Sequence, residues 1–475
     1  MTTTSNAAKL AKGRAVTLAI LVAAQTIVSL DFSLVSITIP SIERGLSIGP
    51  GLSQWVITAD MLAYGGFLIV GGRIADSYGQ KLALTCGLFL FMLGSLVGVF
   101  APHLGVLVGG RIIQGLGGAL TFPATISLLA RDFPAGPERF RALTISTAVQ
   151  ATGVPLGTIM GGWLVTNVGW HAAFVLNITV CLTLLCVIPR AMSSPQRQEG
   201  PRPRLPIGSA MLLAIGLGLL IQAALGTVSK DPFTRMIATY ALPSGLTIVA
   251  IFVLLQRVSQ NPLISLSLLR VRNLGVCILI TAMMVMVGKG LIVLSNISFQ
   301  QGLHFTALEA SLALLPMTAA SLLLIPLTPK ISGYLLPRPK LVLVAAFAIM
   351  GTFHLTLAMT PGVTAATMLM SLLFLAPFAS VTSTNVGVGE ILRDVKPGDQ
   401  GVAAGMLYTA VQIVGGLGLS LMIATADQSP NIVDDFERFY PGFRIAATAC
   451  LLGISITWLM FRSAEKPLNR KPFLT

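Results

Sequence analysis

The sequence predicts an all-α protein that crosses a membrane many times. Three observations carry that expectation. Hydrophobic residues make up 54% of the 475 positions and charged residues only 10%, against about 25% charged in soluble domains; the mean hydropathy is +0.84. Apolar runs of about 20 residues, the length needed to cross a bilayer as helix, recur from end to end. Basic residues punctuate these runs instead of gathering on one face, so the net charge of +14 reads as membrane topology and not as nucleic-acid binding. The apolar content excludes disorder. Cys86, Cys181, Cys186, Cys277 and Cys450 lie in or beside apolar stretches without metal spacing, which fits small core residues.

Fourteen runs are expected. The first six cover residues 15–38, 51–72, 82–100, 106–129, 142–165 and 172–188. Two follow at 207–225 and 237–255, and the last six at 274–297, 307–326, 341–359, 365–387, 402–425 and 445–461. The first is too long for a removable signal peptide and lacks a small-residue cleavage site. An even number of crossings puts both termini on one side. With that side cytoplasmic, 24 of the 31 lysines and arginines fall inside, among them Lys9, Arg73, Lys81, Arg131, Arg190 and Lys466. Five fall outside (Arg44, Lys230, Arg235, Arg438, Arg444), and Arg111 and Lys289 lie within runs. This asymmetry sets the orientation.

The polar, proline-rich stretch before residue 207 divides the chain. Residues 1–190 are expected as a six-helix bundle, 191–206 as a cytoplasmic linker, 207–256 as two extra helices, and 257–475 as a second six-helix bundle with a tail. A weak echo supports a repeat. The basic loop 73–81 after run two has a counterpart at 330–334 and 338–340 after run ten, as in transporters built from internal repeats.

Four stretches then stand out. Gly71-Gly-Arg-Ile-Ala-Asp-Ser-Tyr-Gly-Gln-Lys81 follows run two, and Arg111-Ile-Ile-Gln-Gly-Leu-Gly-Gly-Ala119 lies in run four. Run five holds Gly153-Val-Pro-Leu-Gly157 with Gly161 and Gly162; Asn261-Pro-Leu-Ile and Arg270-Val-Arg-Asn273 lead into run nine. In this order they resemble the major facilitator superfamily, in its fourteen-helix drug:proton antiporter branch. Leu30-Asp-Phe-Ser-Leu-Val-Ser-Ile-Thr-Ile-Pro40 is similar to that branch's first-helix motif.

The resemblance implies two six-helix bundles plus two inserted helices, and a conformational latch in the 71–81 loop. There Arg73, Asp76, Gly79 and Lys81 place an acid among bases around a turn that needs glycine; the plainer reading is a topological charge cluster. It also implies an antiporter motif at Gly153, Pro155, Gly157, Gly161 and Gly162, where small residues and a bend permit a proton-tight interface, or ordinary packing.

Charges inside a bilayer are costly unless paired or facing water. Asp31, Asp60 and Arg111 lie about 10, 13 and 7 Å below the outer ends of their helices at 1.5 Å per residue, so an Asp–Arg pair is possible. Burial and a neighbouring guanidinium act oppositely on a carboxylate, which suits Asp31 to proton coupling with Arg111 as its modulator; a static ion pair is the alternative. Asp60 departs from the aromatic residue usual in the resemblance. It can receive a cationic substrate or share a proton with Asp31, or be a polar contact of Thr58. Lys289, between Gly288 and Gly290, is expected in the cavity, either closing against an acid or holding an anionic group, with snorkelling as the alternative. His354 reads as a helix contact, and Trp170-His171-Ala-Ala-Phe174 departs from the family's Trp-Arg-x-x-Phe.

No nucleotide-binding loop, metal cluster or nucleophile–base set is apparent in the sequence, so neither an enzyme nor an ATP-driven pump is expected, and no cofactor. The expected function is a proton-coupled secondary exporter of amphipathic, plausibly cationic organic compounds, working as a monomer in the bacterial inner membrane. Its expected partners are a small organic substrate, protons and lipid. A proton symporter or facilitator importing a metabolite is the alternative; a non-transporting sensor or scaffold is more remote.

Overall fold

A computed structural model describes residues 2–133, 137–192, 206–228, 232–259, 271, 273–317, 338–360, 375–393, 400–426 and 436–461, with 262, 319, 320, 323 and 395. The helices are α1 (Thr2–Leu46), α2 (Trp55–Tyr78), α3 (Gln80–Val99), α4 (Leu104–Asp132), α5 (Pro137–Asn167), α6 (His171–Ala191) and α7 (Ile207–Val228). They continue as α8 (Pro232–Val258), α9 (Leu274–Gly302), α10 (Ala307–Ala313), α11 (Pro339–Leu357), α12 (Leu375–Arg393), α13 (Gln400–Ala426) and α14 (Tyr440–Met460). Among the described residues there is no strand, and ten helices are long and apolar enough to cross a membrane. Some helix falls in each of the fourteen apolar runs, though the runs at 307–326 and 365–387 are described only in part. The linker at 193–205 and the repeat echo at 330–334 lie outside the described residues.

Local chemistry explains the helix limits. Helices in a bilayer must satisfy their own backbone groups, and turn residues mark the ends. Gly79, at φ 106°, takes a backbone conformation that a side chain disfavours, and it separates α2 from α3. Thr306 and Glu309 form a capping box at the start of α10: the Thr306 hydroxyl accepts from the Glu309 N–H at 3.2 Å, and Glu309 accepts from the Thr306 N–H at 2.8 Å.

The first six helices pack as one group. α2 and α3 both lie along α4, α5 lies along α1, and α6 packs on α3 and α1. Glycines set how close α3 and α4 come. A Cβ at Gly94 would lie 2.7 Å from the Gln114 nitrogen, and one at Gly117 only 3.0 Å from the Phe91 Cα. A second group forms around α9, which packs on α12, α13 and α14, with α11 against α12 and α14. The two groups meet where α2 runs along α13, α5 meets α10 and α1 meets α9. α7 is seated on both α2 and α13, and α8 packs behind it.

One end of this seam is closed by polar contacts. The apolar run of the first helix was expected to stop at residue 38, but α1 continues through Pro40 to Leu46. Pro40 cannot donate to the helical ladder, and nearby the Ile37 carbonyl accepts from Gln300 of α9 at 3.3 Å. The extra turns carry Glu43, which is buried. Its Oε2 accepts from Gln301 of α9 at 2.6 Å and its Oε1 from the Ser53 hydroxyl at 2.6 Å. At the same end the Thr166 hydroxyl of α5 accepts from the Leu308 N–H of α10 at 3.2 Å.

Candidate functional site

The close approach of α3 to α4 and of α2 to α4 delivers Arg111 into the middle of the first helix group. Its side chain is 1% exposed. Nη1 donates to Asp31 Oδ2 at 2.7 Å and to Gln114 Oε1 at 2.7 Å, and Nε donates to the Val56 carbonyl at 2.8 Å. Nη2 lies 3.3 Å from Asp60 Oδ2. One guanidinium therefore joins two carboxylates from two helices, as expected from the depths of the three residues. Its planar fork can serve several acceptors at once.

The two acids are held differently. Asp31 is enclosed: Asn177 of α6 donates to Oδ1 at 2.5 Å and Gln114 approaches the same oxygen at 3.5 Å. Gln114 is itself anchored on the Ser95 hydroxyl of α3 at 2.7 Å. Asp60 keeps 17% of its side chain exposed, and its Oδ1 has no hydrogen-bond partner among the described residues. The Thr58 hydroxyl bonds to Ser420 of α13 instead of to Asp60, so the reading of Asp60 as a Thr58 contact gives way to the Arg111 pair.

Lys289 is contributed by α9 from across the seam. Its Nζ donates to Gln412 Oε1 of α13 at 3.1 Å and sits 4.7 Å from the centre of the Phe32 ring, which belongs to α1 beside Asp31. Among the described residues no carboxylate lies within ion-pair distance of it. Lys289 thus lies between α13 of its own group and α1 of the other. An aromatic pair also bridges the two groups: the Tyr408 and Phe122 ring centres are 4.7 Å apart across α13 and α4.

The expected 71–81 loop is helical except at Gly79, with Arg73 in α2 and Lys81 in α3, and the basic residues reach outward. Arg73 donates to the Pro262 carbonyl at 2.7 Å, linking the end of α2 to the segment that leads into α9. Lys81 donates to the Met192 carbonyl past the end of α6 at 2.5 Å. The Asp76 side chain lies outside the described residues, as do Asn261, Arg270 and the side chain of Pro155.

The glycines of α5 divide between two partners. A Cβ at Gly153 would lie 2.9 Å from the Ser29 Cβ, one at Gly157 would meet the Ser33 hydroxyl and lie 2.6 Å from the Leu30 carbonyl, and one at Gly161 would lie 3.1 Å from Leu34. All three press on α1 around Asp31. Gly162 instead faces α10, where a Cβ would lie 2.7 Å from the Ala307 carbonyl. Elsewhere, His354 Nδ1 bonds to the Met350 carbonyl at 2.9 Å in its own helix. His171 stacks on Trp170 at 3.6 Å.

Sequence reasoning missed Asn177, Gln412, Gln301 and Glu43 as members of these contacts. Neutral amides inside apolar runs carry no strong hydropathy signal, and Glu43 beside Arg44 reads as an ordinary loop charge.

Residues 21–419 match the Major Facilitator Superfamily. The chain is 29% identical over 415 residues to the "Cephamycin export protein CmcT" of Amycolatopsis lactamdurans, covering 84% of this chain and 82% of that protein. It is 28% identical to the "Lincomycin resistance protein" of Streptomyces lincolnensis over 452 residues, 93% of this chain and 90% of that one. Among solved structures it is similar in fold to an auto-inhibited POT family peptide transporter, with a TM-score of 0.67 over 96% of this chain and 98% of that chain, at 14% identity.

Proposed function

The chain belongs to the Major Facilitator Superfamily, and from that premise we propose that it is a proton-coupled exporter of amphipathic organic compounds. It is a multi-pass membrane transporter of a small molecule and not an enzyme. Export is the direction that the names of its curated relatives support, through cephamycin export in one and lincomycin resistance in another.

One observation carries the coupling: Asp31 and Asp60 share the single guanidinium of Arg111. With both acids ionised the three residues hold one net negative charge in a region where charge is costly. A proton or a cationic substrate group can each neutralise it, and the two compete. Asp60, with its open oxygen and partial exposure, is the point of exchange. Asp31 responds through Arg111, because any change in the Asp60–Arg111 contact redistributes the donors that hold Asp31. Alternating access follows if residues 1–190 and 257–475 rock as two bundles while 191–206 links them and 207–256 rides beside the seam. Arg73, Asp76, Gly79 and Lys81 then act as a latch at one end, through contacts such as Arg73 to Pro262, while Gly153, Pro155, Gly157, Gly161 and Gly162 keep α5 tight on α1 and α10.

The excess of basic residues in the loops on the side of the N-terminus supports a cytoplasmic location for both termini. The bacterial inner membrane and a monomeric working unit complete the reading. Ethidium uptake into everted vesicles with an acidified lumen tests it. We expect uptake that collapses when the pH gradient is dissipated and that is lost in Asp31→Asn. Gradient-driven uptake unchanged in Asp31→Asn would remove Asp31 from the coupling; ethidium movement indifferent to the gradient would overturn proton coupling itself.

A further inference from the structure

Two charges of opposite sign face the space between the helix groups with capacity to spare. Asp60 on α2 has an oxygen without a hydrogen-bond partner among the described residues. Lys289 on α9 spends one donor on a neutral amide and rests on an aromatic face. An ammonium in this setting is poorly compensated, since a neutral amide and a ring offset only part of the cost of removing it from water. Arg111, by contrast, already engages all three of its side-chain nitrogens with Asp31, Asp60, Gln114 and Val56.

α13 runs beside both charges. It passes there with Gly415, where a Cβ would find Lys289 Nζ at 4.0 Å and the Met61 Cε at 3.9 Å. Met61 is the neighbour of Asp60 in sequence. The position therefore has room for a side chain and carries none, and it adjoins both the ammonium and the helix of the acid. This differs from Gly418 three residues on, where a Cβ would run into the Met286 side chain. Gly418 is a packing glycine; Gly415 would accept a Cβ at ordinary contact distance. Phe32 supplies aromatic surface beside the ammonium.

Charge balance points the same way. Asp31, Asp60, Arg111 and Lys289 sum to zero when all are ionised. A bound cation would satisfy Asp60 and leave Lys289 without an anion, and a bound anion would do the reverse. A molecule with both charges satisfies each and leaves the site neutral, which a low-dielectric surrounding favours. Resting on the exporter reading above, we propose that the preferred substrate is an amphipathic zwitterion, its ammonium on Asp60 and its carboxylate or similar oxyanion on Lys289, with an aromatic or apolar body beside Phe32 and Gly415.

A matched fluorescent series tests this by binding, without requiring turnover. Dansyl-lysine carries an ammonium and a carboxylate, dansylcadaverine only the ammonium, and dansyl-aminohexanoate only the carboxylate. Titrated against the full-length protein in nanodiscs, dansyl-lysine is expected to bind about tenfold tighter than either partner, the scale of one added charge-assisted contact. The advantage over dansylcadaverine should fall to about unity in Lys289→Gln and return in Lys289→Arg. The advantage over dansyl-aminohexanoate should fall in Asp60→Asn. Equal affinities across the series in the wild type would overturn the proposal. So would an advantage that survives Lys289→Gln, or one that is lost equally in Lys289→Gln and Lys289→Arg. Proton-driven ethidium uptake in vesicles reports separately on the exporter reading, so either idea can fail while the other stands.

Discussion

Asp31 and Asn177 lie 146 residues apart in the chain, on α1 and α6, and the Asn177 amide donates to the Asp31 carboxylate at 2.5 Å. With Arg111 on the other oxygen, the acid is held from two sides. A carboxylate so held cannot turn without breaking a charge-assisted hydrogen bond.

Asn177→Leu should therefore weaken coupling without dismantling the fold. Loss of one hydrogen bond to a charged group is worth about 1.5–3 kcal/mol, so gradient-driven uptake at fixed substrate should fall by about tenfold or more. Detergent-solubilised protein should remain monodisperse. Unchanged uptake in vesicles would show that the bond is incidental to transport.

Arg111→Leu should be the most damaging single change in the site. It leaves Asp31 and Asp60 without their shared cation, and breaking a buried pair from one side costs about 3–5 kcal/mol. The melting temperature in detergent should drop sharply, and Arg111→Lys should rescue little, because an ammonium cannot reproduce a planar fork serving four acceptors. Full stability in Arg111→Lys would contradict this.

On α5, Gly157→Val should destabilise the α1–α5 contact by about 1–3 kcal/mol, the usual scale for overpacking, since its Cβ would meet Ser33 and the Leu30 carbonyl. Gly161→Ala, whose tightest contact is the flexible tip of Leu34 at 3.1 Å with the Leu34 Cα at 3.4 Å, should be milder. Comparing the melting temperatures of the two variants checks the order.

Glu43→Gln should loosen the closed end of the seam. The Glu43–Gln301 and Glu43–Ser53 bonds join α1 to α9 and to the turn before α2, and hydrogen bonds to a charged acceptor are about twice as strong as neutral ones. Spin labels on α1 and α9 near this end should report a larger share of separated distances in the variant. Identical distance distributions would assign Glu43 a purely local role.

Much of this was legible in the sequence because the membrane makes errors costly. Apolar runs announce helices, and Asp31, Asp60, Arg111 and Lys289 announce themselves as charges where charge is dear. Their depths along separate helices sufficed to suggest the Asp–Arg grouping. What could not be read was which neutral groups complete it. Asn177 and Gln114 cost little in a helix and fit several partners, so their roles depend on helix rotation, which is fixed by glycine contacts such as Gly94 on Gln114. Glu43 escaped for another reason: the apolar run ends at residue 38, yet α1 runs on through Pro40 to Leu46, which carries the acid into a buried position.

The seat of α7 has a consequence of its own. It touches α2 from one helix group and α13 from the other, and at the first of these contacts a Cβ added at Gly66 would lie 3.1 Å from the Ala214 Cβ. If the groups rock, α7 cannot stay fixed to both. The meeting surfaces are apolar: Val70 of α2 shares one cluster with Ala210 and Leu213 of α7, and Leu62 of α2 shares another with Ile221 of α7 and Ala424 of α13. The added hairpin of α7 and α8 is in that sense a stitch across the slot: any separation of the two walls must first pull α7 out of one of these apolar seats.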